Sequence, residues 1–372
     1  MQKKVSKNIS NSTSQRIKIS LIGDIFPGEL SFTRNYGIRS QFEQHNGEPW
    51  INKIKGIIGE NDLVIGNLES PLVEKENAIK DTFYGNPKFA AFLKKCGINV
   101  LNVANNHILE QGEYGFKRTL EVLSDNDLDI VGHVKNGCSS ILYKEIRGIK
   151  IAIAGFSNVD LHKISNNSNF AVLDEENVLN TLNIMEQHSA DIRILSLHWG
   201  NEYINFPSLE QRKMAYKFID AGATIIAGHH PHVIQPYEKY KDGHIFYSLG
   251  NFMFDFIQSK KISVGLRVII EMTNRKISNL ECLGVDLSYK DLVKKSKEKK
   301  FNSFFSKINE KYRKLILNTD FKYKKVYKRD LACKHLLERI YMKTNFLDEF
   351  FRIDKKAKNT LIKNIKTYYL KK

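Results

Sequence analysis

The chain has 372 residues, 42% hydrophobic and 27% charged, with a formal net charge of +17. Such a composition suits a soluble globular protein, either one large domain with an extension or two domains. Its four cysteines (Cys96, Cys138, Cys282, Cys333) lie far apart without CxxC spacing, which excludes zinc knuckles and redox pairs and matches a reducing compartment.

Residues 1–16 are polar and Asn/Ser-rich, read as disordered, and hold no hydrophobic stretch of the kind a signal peptide or membrane anchor needs. No later run is long enough to span a bilayer, so the expected location is cytoplasmic, with the inner membrane face as a docking surface. From Arg16 to about Asp286, short β-rich runs alternate with helical segments, the pattern of an α/β sheet. Ile19–Gly23 ends at Asp24, and Leu63–Gly66 runs into Asn67-Leu68-Glu69. A helix over Pro87–Cys96 precedes a strand at Ile98–Val103, which meets Asn105-Asn106-His107. Helices follow at Glu113–Ser124 and Glu175–His188, with strands at Ile149–Ala154 and at Ile192–Leu197, which leads into His198. Ser208 and Glu210 open a helix to Ala221, and the strand Thr224–Ala227 passes through Gly228 into His229-His230-Pro231-His232.

After Pro231, Val233–Tyr240, Gly243–Leu249, Ser263–Met272 and Lys276–Leu283 read as strands with no helix between them, expected to pair antiparallel and close the sheet edge. From Leu287 to the end there are 26 Lys/Arg against 9 Asp/Glu, so the whole net charge resides there and the first 286 residues are neutral. The Lys294–Lys300 run marks the boundary of a basic helical extension, 287–372. In it Phe301, Phe304, Phe305, Ile308, Tyr312, Leu315 and Ile316 recur at helical spacing, as do apolar residues in Leu331–Met342 and Leu361–Leu370. Packing of this stripe on the core or on a partner chain is the plain expectation. Binding to an acidic polymer or an anionic membrane is the sharper one.

Five of these strands end in Asp, Glu, Asn or His, and in open α/β sheets ligands bind at the carboxyl ends of strands. Asp24, Glu69, Asn106, His198, His230 and His232 together suit one or two divalent cations, with manganese, iron or zinc favoured by the mix of oxygen and imidazole donors. Glu69 or Asp24 would bridge a pair, and His107 would protonate a leaving oxygen or stabilise developing charge. Each residue also has an ordinary role open to it: Asp24 as a helix cap, Asn67 or Asn105 as turn braces, His198 as a core histidine. Taken singly, only His230 and His232, two histidines one residue apart after a strand and a glycine, favour ligation. The joint arrangement reverses the odds for the set.

Gly23-Asp24, Gly66-Asn67-Leu68-Glu69-Ser70-Pro71-Leu72, Ala104-Asn105-Asn106-His107, Gly112, His198-Trp199-Gly200, Gly228-His229-His230-Pro231-His232-Val233 and Tyr247-Ser248-Leu249-Gly250-Asn251-Phe252, with Asp255 beyond, occur in that order. Over about residues 17–256 the chain thereby resembles the CapA (poly-γ-glutamate synthesis) family of the calcineurin-like metallophosphoesterase superfamily. The resemblance implies a four-layer αββα sandwich over 17–286, metal ligands at Asp24, Glu69, Asn106, His198, His230 and His232, and His107 at the catalytic histidine. Three positions depart from the pattern. Phe26 stands where the superfamily has a histidine, as is common in the CapA family; Ile108 stands where the superfamily is often acidic; and Glu110 replaces the family's usual Asp. Asn251, in a Gly-Asn turn, is a second candidate catalytic residue.

The function implied is a metal-dependent, phosphoesterase-like hydrolase serving surface-polymer biosynthesis, with a polymer precursor as substrate and the basic tail docking to a membrane-bound synthase. The alternative is a non-catalytic binding or assembly protein for an acidic polymer. Nucleic-acid binding by Lys294–Lys300 and Lys322–Arg329 has less support, because charge alone is non-specific.

Overall fold

A computed structural model describes residues 16–333 apart from 32, 136–137, 160–169, 256–262 and 289–290. Strands β1 (Arg16–Ile25), β2 (Leu63–Leu68), β3 (Val100–Asn102) and β4 (Asp129–Val131) lie side by side and parallel. A short ribbon of β5 (Val134–Lys135) and β6 (Cys138–Ser139) leads to a second sheet. That sheet contains β7 (Ile141–Ile146), β8 (Ile149–Ser157), β9 (Ile192–His198), β10 (Ile225–His229), β11 (Tyr237–Tyr240) and β12 (Gly243–Phe246), ordered β11-β12-β10-β9-β8-β7. Strands β13 (Asn251–Met253), β14 (Val264–Thr273), β15 (Lys276–Ser288) and β16 (Leu292–Lys295) return to the first sheet, whose order is β16-β15-β14-β1-β2-β3-β4, with β13 also paired to β1.

The period-two alternation of the central strands builds the layers. Ile17, Ile19 and Leu21 of β1 face a core shared with Leu63, Ile65, Ile151, Ile153, Ile192 and Ile194, which fills the space between the sheets. Ile22 and Ile25 face the other way, toward α1 (Ile38–His45), α2 (Glu48–Ile58), α3 (Lys88–Lys95) and α4 (Gly112–Asp125). On β9, Leu195 and Leu197 turn outward to α5 (Glu175–Gln187) and α6 (Leu209–Asp220). The result is a four-layer αββα sandwich, as the sequence leads one to expect. Each Ile or Leu wholly buried in these layers contributes about 1.5–3 kcal/mol.

The antiparallel finish holds only in part. β14, β15 and β16 are antiparallel, but β12 runs parallel to β10 and β13 parallel to β1. After β10 the chain steps out past the next position in the sheet, comes back as β11 at the edge, and returns as β12 between β11 and β10. A strand filling a gap on the return leg of a hairpin must run the way the chain first went. Val233–Pro236 is the step itself, and strand structure begins only at Tyr237.

The chain past 286 is woven into the fold. β15 continues to Ser288, and β16 pairs with it. The apolar stripe becomes α7 (Glu298–Ile316), whose Phe301 enters the inter-sheet core and whose Tyr312 and Leu315 enter the core over the second sheet. Glu238 on β11 ties this end down, accepting hydrogen bonds from the hydroxyls of Tyr247 (2.8 Å) and Tyr312 (2.9 Å). Residues 320–333 are helical, and Tyr323 donates to the Pro207 carbonyl (2.8 Å). Of the segments expected at Leu331–Met342 and Leu361–Leu370, all but residues 331–333 lie outside the described residues. Among the described residues, no helix is long and apolar enough to cross a membrane.

Asp255, just after β13, pins the β1–α1 loop by accepting from the Thr33 hydroxyl and the Ile38 N–H (2.8 Å). Burial, with the nearby charge of Glu29, pushes its carboxyl up to about 7. A raised carboxyl pKa means the folded state disfavours the ion. Its stability is therefore greatest below about pH 4, falls as pH climbs toward 7, and levels off above, a loss on the order of 4 kcal/mol from this group alone. Asp255→Asn keeps an acceptor for Ile38 and is expected to flatten that decline in urea unfolding between pH 5 and 8. An unchanged pH dependence in the variant would place the effect elsewhere.

Candidate metal centre

Parallel strands in both sheets deliver their carboxyl ends to one place. Asp24 near the end of β1, Glu69 just past β2, His198 ending β9, His229 ending β10, and His230 and His232 beyond it are all buried there. Ligand atoms of Glu69, His198 and His230 lie within 4.8 Å of one another, and so do those of Asp24, Glu69 and His232. Glu69 belongs to both sets, which is the arrangement a bridging carboxylate requires. A register shift between β1 and β2, after Leu21, turns the end of β1. Gly23 is obligatory at this point, since a Cβ there would stand 2.1 Å from the Gly250 carbonyl oxygen.

Amides hold these side chains. The Asn67 side-chain amide donates to Asp24 Oδ1 (2.9 Å) and lies 3.2 Å from His198 Nδ1. His229 Nδ1 is 3.0 Å from Asp24 Oδ1, and the His230 N–H donates to Asp24 Oδ2 (3.2 Å). Asn106 Oδ1 approaches His198 Nε2 at 2.9 Å, so two expected ligand atoms converge. Asn251 Oδ1 is 2.9 Å from His232 Nδ1, which leaves Nε2 toward Glu69 Oε1 at 3.6 Å. The structure thus places Asn251 behind His232, at the Gly250 turn (φ 65°). His107 stands at the rim: its Nε2 is 3.2 Å from the Asn106 amide nitrogen, its Nδ1 is 3.4 Å from Glu110 Oε1, and its ring stacks on Phe83 at 4.6 Å.

Four non-glycine residues at the site hold positive φ: Phe83 (55°), Tyr203 (63°), His230 (92°) and His232 (53°). Such backbone costs about 1–3 kcal/mol each and persists where the surroundings impose it, often at functional sites. An aromatic wall of Phe26, Phe83, Phe254 and Tyr203 flanks the histidines, with Phe254 4.7 Å from the His232 ring.

Burial pushes the Glu69 carboxyl well above its usual range, and the charges of Asp24 and Glu202 add to that. Burial would also raise Asp24, but the hydrogen bond and charge of His229, with His232 and Asn67, hold it below. Burial and neighbouring histidines keep His198 well below the usual imidazole value, and burial brings His230 down to about 4. Both oxygens of Glu69, Oδ1 of Asn67 and Nδ1 of His230 are buried without a hydrogen-bond partner among the described residues. Buried polar atoms seldom go unpaired, and these oxygen and imidazole donors converge as divalent cations require. The residues therefore fit one or two such ions.

All six expected ligands reach this cluster, with His107 beside it. Reasoning from sequence gave no site role to His229, Asn67, Glu110 or Glu202. His229 and Asn67 lie inside recognised motifs, His229 with no role of its own and Asn67 with a turn brace as its plain alternative. Glu110 was only a departure from the family's Asp, yet it meets His107 three residues back. Glu202, four residues past His198, has a carboxylate oxygen within 4.8 Å of His230 and His232 ligand atoms.

Residues 18–256 match the family model described as bacterial capsule synthesis protein PGA_cap. The PGA biosynthesis protein CapA of Bacillus subtilis (strain 168) is 35% identical over 249 residues, 64% of this chain and 63% of that protein. The capsule biosynthesis protein CapA of Bacillus anthracis is 32% identical over 265 residues, 66% of this chain and 62% of that one. The chain thus matches less than two thirds of either relative's length. Among solved structures, the 5′-nucleotidase precursor of Thermus thermophilus overlaps 75% of this chain and 56% of its own at 12% identity and a TM-score of 0.43, too loose an overlap to bear on the site.

Proposed function

Because this chain belongs to the PGA_cap family of bacterial capsule synthesis proteins, we propose that it is a metal-dependent hydrolase of the phosphoesterase type, acting in the biosynthesis of a capsule or related surface polymer. The observation that carries the reading is Glu69, a wholly buried carboxylate with neither oxygen hydrogen-bonded among the described residues, shared by two sets of ligand atoms. When held by Asp24, Glu69, Asn106, His198, His230 and His232, divalent cations would polarise a phosphoryl oxygen and acidify a water molecule.

The chain's own groups do the rest. Asn67, His229 and Asn251 orient the ligands, and preorganised ligands lose no energy to rearrangement as charge develops. The aromatic wall keeps bulk water from one side. His107, with Glu110 at Nδ1, is placed to give a proton from Nε2 to a leaving oxygen. Its hydrogen bond with Glu110, together with Lys80, holds the Glu110 carboxyl down at about 2 against its burial, so that group stays ionised and favours a proton on Nδ1. A phosphorylated sugar or polymer precursor suits this chemistry better than a polyglutamate amide. The basic face of α7 and the residues after it would bring the protein to an acidic polymer or a membrane-bound synthase.

The test is turnover of phosphomonoesters and phosphodiesters by manganese-loaded protein, compared with Asp24→Asn. Activity that needs the ion and is lost in the folded variant supports the proposal. Absence of turnover on every ester, with retained binding of acidic polymer, would replace it with the binding-protein reading.

A further inference from the structure

Glu202 lies on the loop between β9 and α6, outside the ligands that the strand ends supply. Its carboxylate forms a third group with His230 and His232, taking one histidine from each set that shares Glu69. The backbone on both sides is fixed. The Tyr203 N–H donates to the carbonyl of Pro231 (2.7 Å), the residue between the two histidines, and Tyr203 holds its left-handed φ there. On the other side, the Asn201 side-chain amide donates to the Tyr327 hydroxyl (2.8 Å). Gly200, at φ 87°, has no room for a Cβ beside the Gln211 side chain. Among the described residues, no hydrogen bond or ion pair engages the Glu202 carboxylate.

The charge balance points the same way. The charges of Asp24 and Glu202 both act on Glu69 and on His230, and no lysine or arginine is among the charges acting most strongly on Asp24, Glu69 or His230. Converging carboxylates, two of them wholly buried, are stable together around cations. The end of β1 has a complementary gap. Phe26 is buried, stacked on Phe254 at 4.7 Å and edge-on to Phe83 at 5.7 Å, so it brings no donor. The His198 set has Asn106 as a further oxygen, whereas the Asp24 set gains nothing from position 26.

We propose that Glu202 is a metal ligand, reaching in from the 199–208 loop to complete the coordination of the ion held by Asp24, Glu69 and His232. This rests on the metal-centre reading above. It also makes the helical residues 320–333, through Tyr327 and Asn201, a support of that centre.

The test is calorimetric titration of the metal-free full-length chain with manganese, and the absorption spectrum of the cobalt-loaded form. Wild type is expected to take two ions. Glu202→Gln should weaken one of them by at least about tenfold, leave the other unchanged, and alter the cobalt bands. Two ions of unchanged affinity with an unchanged spectrum in Glu202→Gln would overturn the assignment and leave the metal centre standing. No binding in wild type would overturn both. If Glu202→Gln does not fold, Glu202→Asp decides: a shifted spectrum with one weakened ion supports ligation, and wild-type behaviour refutes it.

Discussion

Glu69→Gln is expected to strip the protein of bound divalent metal and of hydrolytic activity, yet to leave the melting temperature of the metal-free form unchanged or slightly raised. Neither oxygen of Glu69 has a hydrogen bond among the described residues, so a neutral amide of the same shape gives up none there, and its loss of charge relieves repulsion from Asp24. In the loaded protein the balance reverses, because Glu69 belongs to both ligand sets. An ion at a hundred times its dissociation constant stabilises the folded state by about 2.7 kcal/mol, a rise on the order of 5 °C for a domain of this size. Thermal scans with and without manganese should show that rise in wild type and none in the variant, with metal analysis in parallel. A variant that melts lower without metal and still responds to manganese would make Glu69 an ordinary core carboxyl.

His107→Ala should lower turnover about 10²–10⁴-fold with metal content and the manganese-dependent rise in melting temperature intact. His107 lies at the rim, in no ligand set among the described residues, and its contacts are the Asn106 amide, the Glu110 carboxylate and the Phe83 ring. A proton donor placed in this way serves the chemical step and not ion retention. Single-turnover kinetics on a substrate with a poor leaving group would show the full loss. A substrate whose leaving group needs no proton, such as a nitrophenolate, should lose far less. Equal losses on both would assign His107 to binding or folding. Loss of metal would assign it to the ligand set.

These two residues were legible for the same reason. Glu69 and His107 each follow a short apolar run, and such runs announce a strand end without any knowledge of its neighbours. Gly250-Asn251 was legible as a turn, and the structure gives Gly250 positive φ; that Asn251 stands behind His232 depends on β13 lying beside β1. Glu110 looked like a minor variation until its carboxylate was seen at His107 Nδ1. The stripe from Phe301 to Ile316 was readable as a helix, but its target was not. Period 3.6 says that one face is buried and is silent on what buries it.

The amino-acid sequence alone determined the alternation of strands and helices, the α/β class, the concentration of positive charge after residue 286, and six donors plus one histidine at strand ends. All of these are local: periodicity, turn chemistry and residue type act over a few positions. Tertiary structure alone decided that β12 runs parallel to β10, that β16 and α7 complete the sheet and the cores, and that Phe26 is sealed behind Phe254. It also decided that His229 grips Asp24 across 205 residues of chain and that Glu202 faces His230 and His232. Those contacts depend on how two sheets pack face to face, and packing joins segments whose separation in sequence carries no mark of their meeting.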